Sequence, residues 1–449
     1  MTRILIRSGH IIDPSQNLDT IGDLSIKDGK VERLGTQNAA LSEAETVLNA
    51  AGLIVTPGFI DLHCHLRQPG FEDAETIATG TLAAARGGFT TVCCMPNTQP
   101  PLDSIASVDY VKQVASTEGY VRVLPIASIT KGRKGLELVE MDELAKAGAV
   151  AFSDDGEPVS SSRVMRLAME YATRLGVPII DHCEDKGLSQ DGVMNEGWVS
   201  ARLGLRGIPA AAEEVMVARD IRLAELTGAR LHIAHVSTRG SAEIVRHAKE
   251  RGIAVTAEVT PHHILLTEER VMGLEAGNNT LLYYDTSAKV NPPLRTRDDT
   301  TALIKGIKDG TIDAIATDHA PHTLVDKLCE FNIAAFGISG LETAFGCLML
   351  LVHNKEIDLI TLVSLLTCKP AKIIGNKFGE LGTLRPGCPA DITLFDPDRE
   401  WVVDSRAFAS KGKNTPFEGQ ILKGKIMATI AQGKIVYRDA ALKIKTGKS

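Results

Sequence analysis

Eight short apolar runs, most of them separated by a helix-length amphipathic stretch, constrain this chain more than any other feature. They are Phe59 to His65, Thr90 to Met95, Arg122 to Ala127, Ala149 to Asp155, Pro178 to Cys183, Arg230 to Val236, Ala254 to Thr260 and Asp313 to Asp318. Between them, Thr76 to Arg86, Ser162 to Leu175, Ala212 to Leu226 and Ser241 to Glu250 carry helical spacing. Parallel strands need crossovers of this length, because the chain must return to the starting edge before it can run the same way again. Eight such units close on themselves, so the reading is α/β, a (β/α)8 TIM-like barrel. An open doubly wound sheet would normally have fewer strands and a Gly-x-Gly-x-x-Gly turn after the first, and no run here is followed by one.

The flanks read differently. From Arg3 to about Val55, short alternating runs (Ile4-Leu5-Ile6, Leu24-Ser25-Ile26, Val31-Glu32-Arg33-Leu34) are separated by Asp-Pro and Asp-Gly turns, the pattern of an antiparallel segment. Ala390 to Phe395, Thr429 to Ala431 and Lys434 to Tyr437 resemble it. Each half has too few strands to bury a core alone. The two ends are therefore expected to build one small β-sandwich, residues 1–55 with 384–449, around a barrel at 56–383.

Composition narrows the partners. With 44% hydrophobic and 23% charged residues the chain is an ordinary globular one, and a net charge of -7 without basic blocks argues against nucleic acid or an anionic membrane. A small molecule or another protein is the expected partner. The opening Met1-Thr-Arg-Ile-Leu-Ile-Arg enters a strand pattern directly instead of a signal-peptide pattern. The eight cysteines are dispersed, with Cys93-Cys94 inside an apolar run, which fits reduced thiols and a cytoplasmic location.

Active sites of such barrels lie at the carboxyl ends of the strands, so catalytic residue types should gather where the runs stop. They do: His63-Cys64-His65, Ser153-Asp154-Asp155, Asp181-His182-Cys183-Glu184, His235, Thr260-Pro261-His262-His263 and Thr317-Asp318-His319. His63 and His65 share one face of their strand, and Arg67 follows, adding an anion fork. Two histidines alone are equally well explained by hydrogen bonding in a core; polar groups at six strand ends are not. Imidazoles and carboxylates suit zinc or a related divalent ion, and His63, His65, Asp155, His182, His235 and Asp318 suffice for two ions bridged by one carboxylate. Water on such an ion ionises at a pKa of roughly 7 instead of about 15.7, so hydrolysis is the natural chemistry. Asp318 is placed to take the water's proton and return it to a leaving nitrogen.

The wording of these ends resembles the amidohydrolase superfamily and, within it, the bacterial class I dihydroorotases. The matching stretches are Gly58 to Arg67, Met95-Pro-Asn-Thr98, Ser153 to Gly156, Asp181 to Asp185, His235-Val-Ser237, Thr260 to His263, Lys289 to Arg295, Ala316 to His322 and Phe336 to Thr343. The resemblance implies a hydrolase of cyclic amides: a zinc enzyme with one or two Zn2+ per subunit that reversibly cyclises N-carbamoyl-L-aspartate to (S)-dihydroorotate in de novo pyrimidine (UMP) biosynthesis. It implies Asp318 as general acid/base. It also implies a substrate site of His65, Arg67, Asn97, Asn291, His322 and the backbone at Phe336 and Gly337. A planar guanidinium with an amide beside it suits the substrate's free carboxylate. A homo-oligomer, and a complex with aspartate transcarbamoylase, are further expectations.

The chain also departs from many relatives, which carry a carboxylated lysine at the end of strand four. Here a carboxylate must substitute, and since Asp154 and Asp155 point to opposite faces of a regular strand, only one of them faces the site. The family pattern selects Asp155. His232 is read as packed or supporting, His262 and His263 as structural, Cys64 as packing, and His319 as orienting Asp318. Residues 275–284 look like a lengthened connection. Residues 323–335 occupy the place of an active-site loop, and their apolar wording suggests packing against a partner subunit. The competing readings are another cyclic-amide hydrolase, hydantoinase-like or allantoinase-like, and a non-catalytic scaffold for aspartate transcarbamoylase. The missing lysine counts against the first, the filled ligand positions against the second.

Overall fold

Seven of the eight apolar runs contain regular parallel strands in the computed structural model, which describes residues 3–35, 46–273 and 283–446. Phe59–Cys64, Phe89–Cys94 and Arg122–Pro125 form one arc; Ile179–Asp181, Leu231–Ile233, Val255–Val259 and Ala314–Ile315 form another. Phe152 bridges the arcs, pairing with Ala127 on one side and Ile179 on the other, and Cys64 with His319 closes the ring.

The fourth run thus departs from expectation, since only Phe152 of Ala149 to Asp155 is bridged. Proline explains it. Pro125 and Pro178 on the neighbouring strands accept from Val150 and Phe152 but have no N–H to donate back, so the ladder stays incomplete.

Apolar side chains facing the helices make the main core, and a second buried cluster fills the barrel interior: Ile60, Leu62, Cys93, Met95, Leu124, Ile126, Val150, Ala151, Ile180, Ala234, Ala314 and Ala316. Ala371, Ile373 and Ile374 of the helix Cys368–Ile374 join that cluster. The crossover helices start where the sequence puts caps. Ile77–Arg86 follows Thr76 in a capping box, Ser162–Leu175 is capped by Ser161, and Arg239–Glu250 by Thr238.

Both chain ends enter one nine-stranded sheet, in the order Lys434–Arg438, Ile421–Ala431, Ile392–Val402, Ile54–Pro57, Arg3–Asp13, Leu18–Lys27, Lys30–Gly35, with Thr46–Asn49 and Ile444–Thr446 off this path. Arg3–Asp13 runs antiparallel to Leu18–Lys27 as expected, but parallel to Thr46–Asn49 and Ile54–Pro57. Alternation marks a half-buried strand without carrying its direction.

Pro57 ends a strand of this sheet and Phe59 opens the barrel. Gly58 between them lies so close to Thr90 that a Cβ would sit 2.1 Å from its hydroxyl. Phe59 of the barrel stacks with Phe345 at 5.1 Å and with Phe395 of the sheet at 6.4 Å, and Arg122 pairs with Asp391 at 2.7 Å. The sheet therefore grips the amino-terminal end of the strands and leaves the carboxyl ends open. Most of the expected long connection at 275–284 lies outside the described residues. No helix among the described residues is long and apolar enough to cross a membrane.

Candidate active site

Barrel closure brings the first and last strand ends together. Asp61 accepts from Thr317 N at 2.8 Å and Thr317 Oγ1 at 2.6 Å, while His65 N donates to His319 O at 2.8 Å. These bonds bring Asp318 against the two histidines: its Oδ1 is 3.1 Å from His65 Nε2 and 3.5 Å from His63 Nε2. From the fourth segment, Asp155 Oδ1 lies 3.2 Å from His63 Nε2, and Oδ2 lies 3.6 Å from His65 Nε2. His182 Nδ1 is 2.9 Å from His235 Nε2, and both rings approach Asp155 Oδ1, at 3.8 and 3.9 Å. All six of the expected ligand residues are buried and adjacent. His235, Asp318 and Arg67 have φ of 30°, 46° and 62°, backbone states that cost about 1–3 kcal/mol each and persist only where the surroundings enforce them.

Three rings are oriented from behind. His63 donates from Nδ1 to Glu258 Oε1 at 3.0 Å, His65 from Nδ1 to Asn97 Oδ1 at 2.8 Å, and His182 from Nε2 to Glu184 Oε2 at 3.1 Å. In the neutral ring each inward nitrogen then carries the lone pair. His63 Nε2 and Asp155 Oδ1 are buried without any hydrogen-bond partner. Two sets, His63 with Asp155 and His235, and His63 with His65 and Asp318, bring their ligand atoms within 4.8 Å of one another. Orphaned donor atoms of this chemistry, facing one spot, fit a divalent cation of the zinc type.

Burial opposes every charge here; at His65 it prevails, while at His63, Asp155 and Asp318 the neighbours outweigh it. Burial works to lower His63, but Asp155, Asp318 and Glu258 raise it well above the usual imidazole value. Asp155 and Asp318 are held below the usual carboxylate range, in both cases with His63 as the leading counterweight to burial. Asp154 takes no part: it faces Ile129 N at 2.8 Å, Thr130 N at 3.0 Å and the Thr130 hydroxyl, and burial raises it to about 6. The ambiguity between the two aspartates thus resolves geometrically, with Asp155 at the cluster.

The cluster forms one wall of a cavity of about 310 Å³ lined also by Arg67, Asn97, Asn291, His322, Phe336 and Gly337. His322 Nε2 donates to Phe336 O at 2.7 Å and also lies 3.2 Å from Arg67 Nη2. A nitrogen that carries a proton cannot accept another, so Arg67 Nη2 keeps its protons for a ligand while Nε donates to Pro321 O at 3.2 Å. Burial and Arg67 push His322 down to about 3, and burial lowers Arg67 to about 10. Asn97 accepts from His65 and so offers its NH2; Asn291 donates to Glu184 at 3.0 Å and so offers its oxygen. Gly337 donates its N–H to Lys289 O, and its carbonyl accepts from Lys327 and Asn414. It contributes close approach, since a Cβ there would sit 2.6 Å from Ala320.

Other residues fall elsewhere. His319 donates to Glu75 and accepts from Gly340 N, so its ring orients the loop and not Asp318. His263 donates to Pro292 O at 2.9 Å and is structural as expected. Glu258 and Glu184 were missed, although a carboxylate amid the run Ala254 to Thr260 was a visible anomaly. Residues 323–335 contain the short helix Leu324–Lys327 and expose Leu324, Val325, Leu328 and Ile333, with Val325 82% accessible.

Comparison with known proteins gives one consistent picture. The family described as Dihydro-orotase-like matches residues 52–241. A dihydroorotase of Pelotomaculum thermopropionicum is 53% identical over 443 residues, covering 98% of this chain and 100% of the relative. One of Thermoanaerobacter sp. is 52% identical over 437 residues, 97% of each. Among solved structures, the L-hydantoinase (dihydropyrimidinase) of Arthrobacter aurescens superposes with a TM-score of 0.86 at 24% identity, covering 99% of this chain and 98% of that one, and a D-hydantoinase with 0.84 at 25%, covering 98% and 96%. These structures share the barrel and β-sandwich architecture.

Proposed function

The chain belongs to the dihydroorotase family, and on that premise we propose that the buried cluster and the cavity beside it carry the family's reaction. The enzyme is a cyclic-amide hydrolase of pyrimidine biosynthesis, interconverting N-carbamoyl-L-aspartate and (S)-dihydroorotate. The observation that carries the site assignment is the adjacency of Asp318 and Arg67 on one cavity, with the orphaned His63 Nε2 and Asp155 Oδ1 behind them.

His63, His65, Asp155, His182, His235 and Asp318 would hold one or two zinc ions, which when bound supply Lewis-acid activation of water and of the amide carbonyl. Asp318 stays ionised beside His63 and His65 and is the proton carrier. In hydrolysis it takes a proton from the attacking water and gives it to the ring nitrogen as the C–N bond breaks; in cyclisation the same proton travels back, from the carbamoyl nitrogen to the departing water. Arg67 pairs with the carboxylate that does not react, with the Asn97 amide donating beside it. Asn291 Oδ1 accepts from a ring N–H, and His322, kept neutral, fixes the position of Phe336. Phe336 and Gly337 of the segment 323–337 line the cavity beside them.

We also take residues 1–55 with 384–449 as one structural unit and 56–383 as the other. The eight free cysteines favour the cytoplasm. The exposed apolar side chains on residues 323–335 favour an oligomer or a complex with aspartate transcarbamoylase, and light scattering with and without that partner tests both.

The deciding experiment is a metal assay combined with turnover of dihydroorotate, hydantoin and allantoin. Turnover of dihydroorotate by zinc-loaded protein is expected. Failure with metal bound, even with the transcarbamoylase added, or a preference for hydantoin, would overturn the assignment.

A further inference from the structure

The barrel interior is apolar on most strands but not on the sixth and seventh. Along Val255–Val259, the side chains of Val255, Ala257 and Val259 pack into the helix-facing core, so Thr256 and Glu258 point inward. Glu258 is 0% exposed. No lysine or arginine is among its hydrogen-bond partners: Oε1 accepts from His63 Nδ1 at 3.0 Å and Oε2 from His232 Nε2 at 3.1 Å. His232, itself fully buried, has its other nitrogen 2.8 Å from Thr256 Oγ1. A carboxylate in such surroundings is destabilising unless both oxygens are held, and here each has one imidazole.

His63 is common to both ligand sets of the cluster, so the direction of its Nε2 lone pair governs both. His65 and His182 are oriented by Asn97, which lines the cavity and also contacts Asp155, and by Glu184, which also holds the cavity residues Asn291 and Lys186. Glu258 acts from inside the barrel, where it is fully buried.

We propose that Glu258, held on its other oxygen by His232, which Thr256 anchors in turn, is the positioning residue that locks His63 in the Nδ1–H tautomer and so pre-organises the metal centre from inside the barrel. The inference rests on reading the cluster as a metal centre. Replacing Glu258 by glutamine separates shape from chemistry. One amide oxygen can accept from only one of the two histidines at that edge, and the NH2 must face the other, so either His63 or His232 has to change tautomer.

The test is zinc titration of the apoprotein against a chromophoric chelator, for the wild type, Glu258→Gln and His232→Gln, together with 15N shifts of the His63 ring. If wild-type apoprotein takes up no zinc, it is the metal-centre reading that fails. If it does bind zinc, Glu258→Gln is expected to bind about 10–100-fold more weakly, because a neutral amide leaves His63 less basic than the carboxylate does, whichever of the two rings changes tautomer. His232→Gln keeps the carboxylate and should show a smaller loss in the same direction, and it carries the test if Glu258→Gln does not fold. Wild-type zinc affinity and an unchanged His63 tautomer in the folded variants would overturn the proposal.

Discussion

Asp318 and Arg67 divide the chemistry between proton transfer and binding, and their substitutions should fail differently. In Asp318→Asn an amide oxygen remains to face the cluster but cannot carry a proton. Metal content should stay near wild type while kcat falls by about 10²–10⁴; near-normal turnover would remove Asp318 from its role. Arg67→Lys replaces a fork with a point charge. The loss of one charge-assisted hydrogen bond, about 1.5–3 kcal/mol, should appear mainly as a KM for dihydroorotate raised by about 10–100-fold, in steady-state assays. At this scale the chain was readable wherever residue type and strand position coincide, as for His63, His65 and His182. Parity alone could say that only one of Asp154 and Asp155 faces the site, and the contacts of Asp154 with Ile129 and Thr130 decided which.

Among the elements, the segment 323–337 has the most distinctive chemistry. Lys327 Nζ donates to Ala335 O at 2.7 Å and Gly337 O at 3.1 Å, and Lys289 Nζ to Phe331 O at 2.7 Å and Asn332 O at 3.0 Å. Two lysines thus hold four carbonyls without a carboxylate. Burial, and then the neighbouring Lys289, push Lys327 down to about 7 from 10.5; burial lowers Lys289 to about 8. The folded state therefore sheds these protons at lower pH than the unfolded chain does. Below about 7 both states hold the Lys327 proton and the burial penalty is felt in full; between about 7 and 10.5 only the unfolded state holds it, so stability contributed here rises with pH. A neutral amine still makes both donations. In urea titrations at pH 6 and 9, the advantage of the wild type over Lys327→Met should grow with pH, and parallel stabilities would refute this. Sequence placed the helices well because their caps are local. The fourth strand was misjudged because its ladder depends on prolines in two other strands.

For the whole molecule, the junction of barrel and sheet predicts a single cooperative unit. Phe59, Phe345 and Phe395 stack at its centre, with 4.6 Å between the last two rings, and Thr393 donates to Gly88 O across it. Phe395→Ala should cost about 3–5 kcal/mol and lower the stability of both parts together. In a Trp198→Phe background, Trp401 fluorescence reports the sheet and far-ultraviolet dichroism the helices, so coincident denaturation curves are expected. Two separate transitions would show that the parts fold independently.

The sequence by itself determined the barrel, the pairing of the chain ends and the identity of five of the six clustered residues, because apolar periodicity and strand-end polarity are written locally along the chain; Asp155 needed the contacts of Asp154. The tertiary structure alone decided which atoms are left unpaired and what stands behind each histidine. Glu258 lies 195 positions from His63, and only closure of the ring brings a carboxylate of the seventh strand against an imidazole of the first.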